Sequence, residues 1–163
     1  MSLGVAILFS LEWNPQFELI LNIAIAILLG GLIGLEREIA NRPAGFRTHM
    51  LVAGAAALLV GLADVLAHRF TVEDYAEVLR IDPIRIVEAI ITGVSFLGAG
   101  TIFRRSQDEV IVGLTTAASI LLASAIGIAV ALEQYILAIG VTILCLIVLK
   151  MMSYIEHRVG NSK

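Results

Sequence analysis

Charged, aromatic and cysteine residues are all scarce in this chain of 163 residues. Asp, Glu, Lys and Arg make up 15 % of it and aromatic residues 6 %. A soluble domain is about 25 % charged, so this composition argues against a soluble protein. The chain has one cysteine, Cys145, which excludes an intrachain disulfide and any thiol-based zinc or redox motif.

Catalytic motifs are also missing. The sequence contains no G-x-S-x-G, no H-E-x-x-H, no P-loop and no glycine fingerprint that follows a strand. The histidines, His49, His68 and His157, are too scattered to form a metal-ligand spacing. We therefore predict that the chain is not an enzyme, that it carries no resident cofactor and that it binds no nucleic acid.

Apolar residues dominate what is present. They make up 59 % of the chain, and the mean hydropathy is +0.96. They form runs close to the roughly 20 residues that a helix needs to cross the hydrocarbon core. The sequence therefore predicts an all-α membrane protein with five transmembrane helices, a transmembrane domain over 1–152 and a tail over 153–163. The predicted spans cover about 17–35, 50–67, 84–103, 114–132 and 135–152.

The lysines and arginines predict the orientation, because cytoplasmic loops carry an excess of both. Five spans put the two termini on opposite sides of the membrane. One side then carries Arg69, Arg80 and Arg85, and the other carries Arg37, Arg42, Arg47, Arg104, Arg105, Lys150, Arg158 and Lys163. The N-terminus is predicted outside and the C-terminus in the cytoplasm.

The chain matches itself when it is shifted by 68 residues. Both halves then show a glycine near a helix end, an arginine, a loop, and a Gly-x-x-Thr that opens a second apolar run. The matched pairs include Gly30 with Gly98, Arg37 with Arg105, Gly45 with Gly113, and Thr48 with Thr116. We interpret this as a repeat of two helical hairpins related by an axis along the membrane normal; chance identity among apolar residues is the alternative.

Small residues recur every four positions on three of the predicted helices. Such faces let helix backbones approach closely in lipid. They suit either contacts within the chain or a homodimer, and the sequence does not separate the two. The three stripes are Gly30–Gly34, Ala53–Ala57–Gly61, and Ser119–Ala123–Gly127–Ala131. Polar residues within the runs are predicted to form interhelical hydrogen bonds: Asn22, Thr92, Ser95, Thr101, Thr115, Thr116 and Ser119.

Carboxylates near the predicted outer side are the first candidate site. Glu88 lies one turn inside the third span, and an ionisable group within a span is a functional-site hypothesis by default. With Asp64 and Asp82 it provides the oxygen ligands that Mg²⁺ prefers. The alternative is an interfacial ion pair with Arg85, three residues earlier on the same helix face.

A second group of polar residues lies at the predicted cytoplasmic side. It comprises Glu36, Arg37, Arg47, Thr48, His49, Arg104 and Arg105. Ordinary positive-inside anchoring accounts for most of these charges. Arg47 is less easily explained, because a cation at a helix start opposes the helix dipole. We predict that it pairs with Glu36 across the first hairpin.

Several motifs together resemble the MgtC/SapB family of bacterial inner-membrane proteins. They are GGLIGLERE, RPAGFRTHMLV, DPIRIVEAIITGVSFLGAG and VGLTTAAS, in that order over about residues 28–120. They contain the candidate residues Glu36, Arg37, Arg47, Thr48, Arg85, Gly98, Gly100, Thr115 and Thr116, and Arg105 follows closely.

This resemblance implies five spans with the N-terminus outside. It also implies a role in growth at low Mg²⁺ and, in pathogens, in survival inside host cells. Family members act as regulators of other membrane machinery, the ATP synthase included. The chain differs in stopping at Lys163, without the soluble C-terminal domain of many members, and in carrying Glu88 where the family pattern shows glutamine.

Two functional hypotheses follow from the residues and the resemblance. The first is a non-enzymatic regulator that binds membrane proteins through its small-residue faces, as a monomer or a homodimer. The second is a magnesium or cation transporter that uses Glu88 and Asp64, and it requires a water-filled cavity that extends past them towards Gly98 and Gly100.

Overall fold

The computed structural model describes residues 15–72, 83–104 and 111–160. These residues form five helices and two strands of two residues each. The helices are α1 (Pro15–Ile39), α2 (Phe46–Val72), α3 (Pro83–Ala99), α4 (Leu114–Ala131) and α5 (Tyr135–Gly160). Strands β1 (Phe103–Arg104) and β2 (Ile111–Val112) lie between α3 and α4 and pair antiparallel.

The local sequence explains where these helices begin and end. Proline is the first residue of α1 and of α3, a position where its missing N–H costs no helical hydrogen bond. Two residues after the ends of α1 and α4, the chain has a residue with positive φ, Asn41 (54°) and Glu133 (59°) respectively. The next N–H, of Arg42 or Gln134, bonds back to the carbonyl five residues earlier. Both ends are therefore Schellman caps.

Helix α3 is shorter than the sequence predicts. The apolar run continues to Phe103, but α3 ends at Ala99 and the chain turns into β1. Hydropathy records where apolar residues are, and it does not distinguish a helix from an apolar strand. Gly113, at φ 94°, allows this return path, because a Cβ on it would lie 2.0 Å from the carbonyl oxygen of Thr101. The predicted third span thus ends in a short hairpin.

Helices α1, α2 and α5 are longer than predicted. Helix α1 continues through Glu36–Ile39, beyond the predicted end at residue 35. Helix α2 continues to Val72, beyond the predicted end at residue 67. Charged residues end an apolar run without ending a helix, so the helices extend beyond their apolar parts. In the described part of the chain, three helices are long and apolar enough to cross a membrane, Gln16–Ile39, Phe46–Ala67 and Leu114–Ala131, and Tyr135–Met151 is a shorter apolar one. The 17 residues of α3 span about 25 Å.

Helices α1, α2 and α4 pack together at the centre of the bundle, and α1 with α2 forms the most extensive contact. Helix α3 packs on α2 and α4, whereas α5 packs on α1 and α4. The core is correspondingly split into two apolar clusters. One contains Ala26, Ile33, Ala53, Ala123 and Ile126, and the other contains Ala56, Val60, Ile90, Val94 and Ile120.

The small-residue stripes serve contacts within the chain. A Cβ on Gly30 would lie 2.6 Å from the carbonyl oxygen of His49, and one on Gly34 would lie 2.8 Å from Cα of Phe46. A Cβ on Gly127 would lie 2.2 Å from the carbonyl oxygen of Ala53. Glycine therefore sets the separation of α1 from α2 and of α2 from α4. The homodimer alternative is not needed to explain these three stripes.

Candidate functional site

A buried polar cluster lies where α1, α2 and α4 meet, near the α1–α2 turn. We define it as Glu36, Arg37, His49, Thr116 and Ser119. The side chain of Arg37 is 3 % exposed and that of Glu36 is 11 % exposed, and Nε of Arg37 lies 2.5 Å from Oε2 of Glu36. Burying a charge is costly unless it is paired, so Glu36 neutralises Arg37 inside the bundle.

His49 connects α2 to α4. Its ring is fully buried, with Nδ1 2.9 Å from the carbonyl oxygen of Gly45 and Nε2 3.0 Å from Oγ of Ser119. A carbonyl only accepts, so Nδ1 carries the proton that reaches Gly45. In this neutral ring Nε2 is an acceptor, so the one proton of the Ser119 hydroxyl is shared between Nε2 and the carbonyl oxygen of Thr116, 2.9 Å away. His49, Ser119 and Thr116 thus form a polar contact between α2 and α4.

The predicted pair between Arg47 and Glu36 is wrong. Arg47 and Thr48 are exposed on the first turn of α2. The carboxylate of Glu36 pairs with its neighbour Arg37 instead. The acid that reaches the start of α2 is Glu38, whose Oε2 accepts a hydrogen bond of 2.8 Å from the Phe46 N–H. A carboxylate at that position satisfies a free N–H of the first helical turn.

Two of the three outer carboxylates lie in the described part of the chain. Glu88 on α3 and Asp64 on α2 both have exposed side chains. Within the described part of the chain, no three His, Cys, Asp or Glu side chains are close enough to hold a metal ion. Asp82 lies outside the described residues, so the site of three carboxylates stays a prediction. Arg85 and Glu88 are both described and exposed, and no ion pair joins them.

The remaining candidate residues lie apart from one another. Gly98 is buried against α4, and a Cβ added to it would lie 3.4 Å from Cβ of Ala117. A Cβ added to Gly100 would lie near only the carbonyl oxygens of Phe96 and Leu97 on α3. Thr116 is buried within the polar cluster and Thr115 is exposed. Arg105 lies outside the described residues.

The interhelical hydrogen bonds are confirmed for two residues. Oδ1 of Asn22 on α1 accepts a 2.8 Å bond from the hydroxyl of Tyr135 on α5, and Ser119 bonds with His49. The prediction is wrong for Thr92 and Thr101, whose hydroxyls donate to the nearby carbonyls of Glu88 and Gly98. A threonine in a helix often satisfies itself in this way.

The sequence indicated His49 only as one of the polar residues at the cytoplasmic side, without a partner, and it did not indicate Tyr135. Each is a lone polar group at the beginning of an apolar run, where it resembles an interfacial residue. A signal was present for His49, because Gly45 four residues earlier places a carbonyl on the same helix face. Nothing local in the sequence indicates that Ser119 meets it.

An open groove lies between α2 and α3. We call it the α2–α3 groove; it has a volume of about 590 Å³. Its walls are apolar, with Leu51 and Ala55 on α2 and with Gly93 and Leu97 on α3, and Arg85 lies at one end. Glu88 and Asp64 do not line it. A second apolar groove, of about 330 Å³, lies between α4 and α5.

Long apolar helices, a core of small residues and a paired buried charge define a helical membrane protein. The chain belongs to the MgtC family, whose characteristic sequence pattern matches residues 23–158. The resemblance seen in the motifs is thereby confirmed.

Similar proteins carry names that refer to magnesium or to the family itself. The chain is 35 % identical over 94 % of its length to the protein SapB of Bacillus subtilis, of which it covers 64 %. It is 37 % identical over 88 % of its length to the putative magnesium transporter YhiD of Escherichia coli, of which it covers 65 %. It is 39 % identical over 80 % of its length to the protein MgtC of Salmonella typhimurium, of which it covers 51 %.

The chain therefore spans between about half and two thirds of the length of these relatives. No solved structure matches it.

Proposed function

We propose that this chain is a non-enzymatic regulator in the bacterial inner membrane, which acts on other membrane proteins during adaptation to low magnesium. One observation carries the proposal: buried polar side chains of the described bundle interior are bonded between helices or paired within one helix. Arg37 pairs with Glu36, His49 bonds with Ser119, and Asn22 bonds with Tyr135. Among the described residues only the hydroxyl of Ser124 is buried without a hydrogen-bond partner, so the bundle is suited to presenting a fixed surface.

The accessible surface also favours this role. The α2–α3 groove is open and apolar, and it faces outward from the central helices. The transport hypothesis requires a water-filled path from Glu88 towards Gly98. The groove does extend in that direction, as far as Leu97, but apolar side chains line it. An apolar wall accommodates lipid or protein better than a hydrated cation.

Cation transport is the second candidate, and the name of the E. coli relative, a putative magnesium transporter, favours it. Glu88 and Asp64 are its residues in this chain, with Asp82 as a third ligand and Mg²⁺ as the cargo. Exposed carboxylates on α2 and α3 need a further element, such as a second copy or the segment between these helices, to complete a site.

Reconstitution separates the two candidates. The purified chain is placed in liposomes, and Mg²⁺ and proton flux are measured beside empty liposomes and beside the Glu88→Gln variant. A regulator gives no flux above empty liposomes in either sample, with insertion verified by protease protection. Flux that Glu88→Gln abolishes would instead establish transport and place Glu88 at its centre.

The regulatory role has its own measurement. ATP synthase is the partner that family resemblance suggests, and it is co-reconstituted with the chain. Proton-driven ATP synthesis is expected to fall as the ratio of chain to synthase rises. Liposomes that contain the synthase alone are the control for proton leak. An unchanged rate at every ratio would remove ATP synthase as the partner.

We also propose an orientation with the N-terminus outside and the C-terminus in the cytoplasm. The distribution of lysines and arginines, eight on one side and three on the other, supports it. It places the polar cluster near the cytoplasmic end of the bundle and Arg85 near the outer end. Reporter fusions at the 40–45 loop test this orientation. A reporter that functions in the cytoplasm is expected to be active there, and one that functions only outside the membrane is expected to be inactive.

The proposed repeat of two hairpins has structural support as well. Helices α1 and α3 begin at Pro15 and Pro83, and α2 and α4 begin at Phe46 and Leu114, so both starts differ by 68. An added Cβ on Gly30 meets the carbonyl of His49, and one on Gly98 meets that of Ala117, again 68 residues on. Equivalent glycines thus pack on equivalent positions of the partner helix.

A further inference from the structure

We propose that the α2–α3 groove binds an anionic phospholipid, with an acyl chain along its apolar walls and the headgroup phosphate on Arg85. The inference goes beyond the regulatory role, and it requires only that the chain lies in a membrane. It assigns a ligand to a surface that neither the family nor the proposed function explains.

The charge pattern of the groove carries the inference. Among the described residues that line it, Arg85 alone is charged, and it lies in the first turn of α3. A cation there opposes the helix dipole, so an anion beside it relieves an unfavourable interaction. The nearest acid along α3, Glu88, neither lines the groove nor pairs with Arg85. Basic pockets between membrane helices bind anionic headgroups at the cytoplasmic side of other membrane proteins, and Arg85 provides the same charge at the end of this groove.

The dimensions fit one acyl chain. From Arg85 to Leu97 the α3 wall is about 18 Å long at the helical rise. One leaflet is about half of a hydrocarbon core of about 30 Å, so the groove spans the depth of a single leaflet. Its volume of about 590 Å³ is within the usual range of small-molecule sites, about 300–1,000 Å³.

The floor of the groove is kept open by a glycine. A Cβ placed on Gly93 would have no atom within 4 Å, so the space above it is empty. Elsewhere in the bundle glycine allows backbones to touch, as Gly127 does, but Gly93 makes no such contact. The packing of the described chain therefore does not require glycine at position 93, where a larger side chain would extend into the groove.

Native mass spectrometry of the purified full chain tests the proposal. The chain is incubated with an equimolar mixture of phosphatidylglycerol and phosphatidylcholine that carry the same acyl chains. One favourable contact between a basic residue and an anionic lipid is expected to favour the retention of phosphatidylglycerol by about fivefold. Arg85→Gln is expected to bring the two lipids to equal retention without loss of total lipid. Lys150→Gln, at an exposed lysine of α5, is the matched charge control and should retain the preference.

Groove-filling variants test the apolar part separately. Gly93→Leu is expected to lower the retention of both lipids, and the added Cβ meets no atom within 4 Å. Gly140→Leu is its matched control, since a Cβ on Gly140 also has no atom within 4 Å and lies outside the groove. Ala55→Leu fills the groove from the α2 wall and replaces Gly93→Leu if that variant fails to fold.

Four results would overturn the proposal. The first is equal retention of the two lipids by the unaltered chain. The second is an equal loss of preference in Arg85→Gln and Lys150→Gln. The third is unchanged retention of both lipids in Gly93→Leu and Ala55→Leu. A dimer that these variants dissociate would also overturn it, because the groove would then be an interface between two copies.

Discussion

Nε2 of His49 lies 3.0 Å from Oγ of Ser119, although the two residues are 70 positions apart in the chain. The bond joins the first turn of α2 to α4 at the centre of the bundle. Both side chains are buried, so neither has water as an alternative partner. The bond therefore contributes to stability mainly because a buried polar atom without a hydrogen-bond partner costs free energy.

Ser119→Ala is expected to lower the free energy of unfolding by about 1–2 kcal/mol, because it leaves Nε2 of His49 unpaired in an apolar interior. Thermal unfolding of the chain in detergent measures the change. Ser95→Ala, at an exposed serine on α3, is the control and should differ little from the parent. Equal stability of the two variants would mean that the bond makes no net contribution.

Glu36→Gln is expected to destabilise the chain by about 3–5 kcal/mol, because it leaves the buried Arg37 without a countercharge. The measurement is equilibrium unfolding in mixed micelles of mild detergent and dodecyl sulfate. Glu88→Gln removes an exposed carboxylate from α3 and provides the comparison. The double variant Glu36→Gln/Arg37→Gln should recover part of the loss, and a simple sum of the two single effects would contradict a coupled pair.

Gly127→Ala is expected to force α2 and α4 apart, because its Cβ would lie 2.2 Å from the carbonyl oxygen of Ala53. Overpacking of this kind costs about 1–3 kcal/mol. Gly140→Ala introduces the same methyl group into open space on α5 and should be neutral or slightly stabilising. If the two variants unfold at the same temperature, backbone contact at Gly127 is not what sets the helix separation.

Tyr135→Phe removes the hydroxyl that donates to Asn22. It is expected to cost about 0.6 kcal/mol, the average for interhelical hydrogen bonds in membranes, and no more than about 1.7 kcal/mol. A double-mutant cycle with Asn22→Leu isolates the pair. The coupling energy should have the same sign and a similar size. A coupling near zero would show that α5 is held to α1 by apolar contacts alone.

The sequence predicted the class of the protein and most of its helices. Apolar runs of membrane length must form structures that satisfy their own backbone groups, and a helix does so locally. Proline at positions 15 and 83 and the polar turns at 40–45 and 132–134 then set most boundaries within a few residues. The motifs were specific enough to identify the family, since several of them occur in one order.

Some predictions failed because an apolar run does not report backbone conformation. Residues 100–103 are as apolar as the helix before them, yet they turn into β1 because Gly113 lets the returning chain pass close to Thr101. In the same way, the stripe containing Gly30 suited a dimer as well as a hairpin. A small residue such as Gly30 indicates only that another backbone packs closely on it, and the tertiary structure shows that this backbone is α2.

The pairings of polar groups were decided by the tertiary structure alone. Arg47 was expected to meet Glu36, but α1 turns Glu36 towards the interior with Arg37 and leaves Glu38 to reach the start of α2. His49 meets Ser119 only because α4 packs on α2 with Gly127 against Ala53. A hydrogen bond requires two elements far apart in the chain to be placed to within tenths of an ångström. Burial depends mainly on which residues are apolar, and the sequence contains that information.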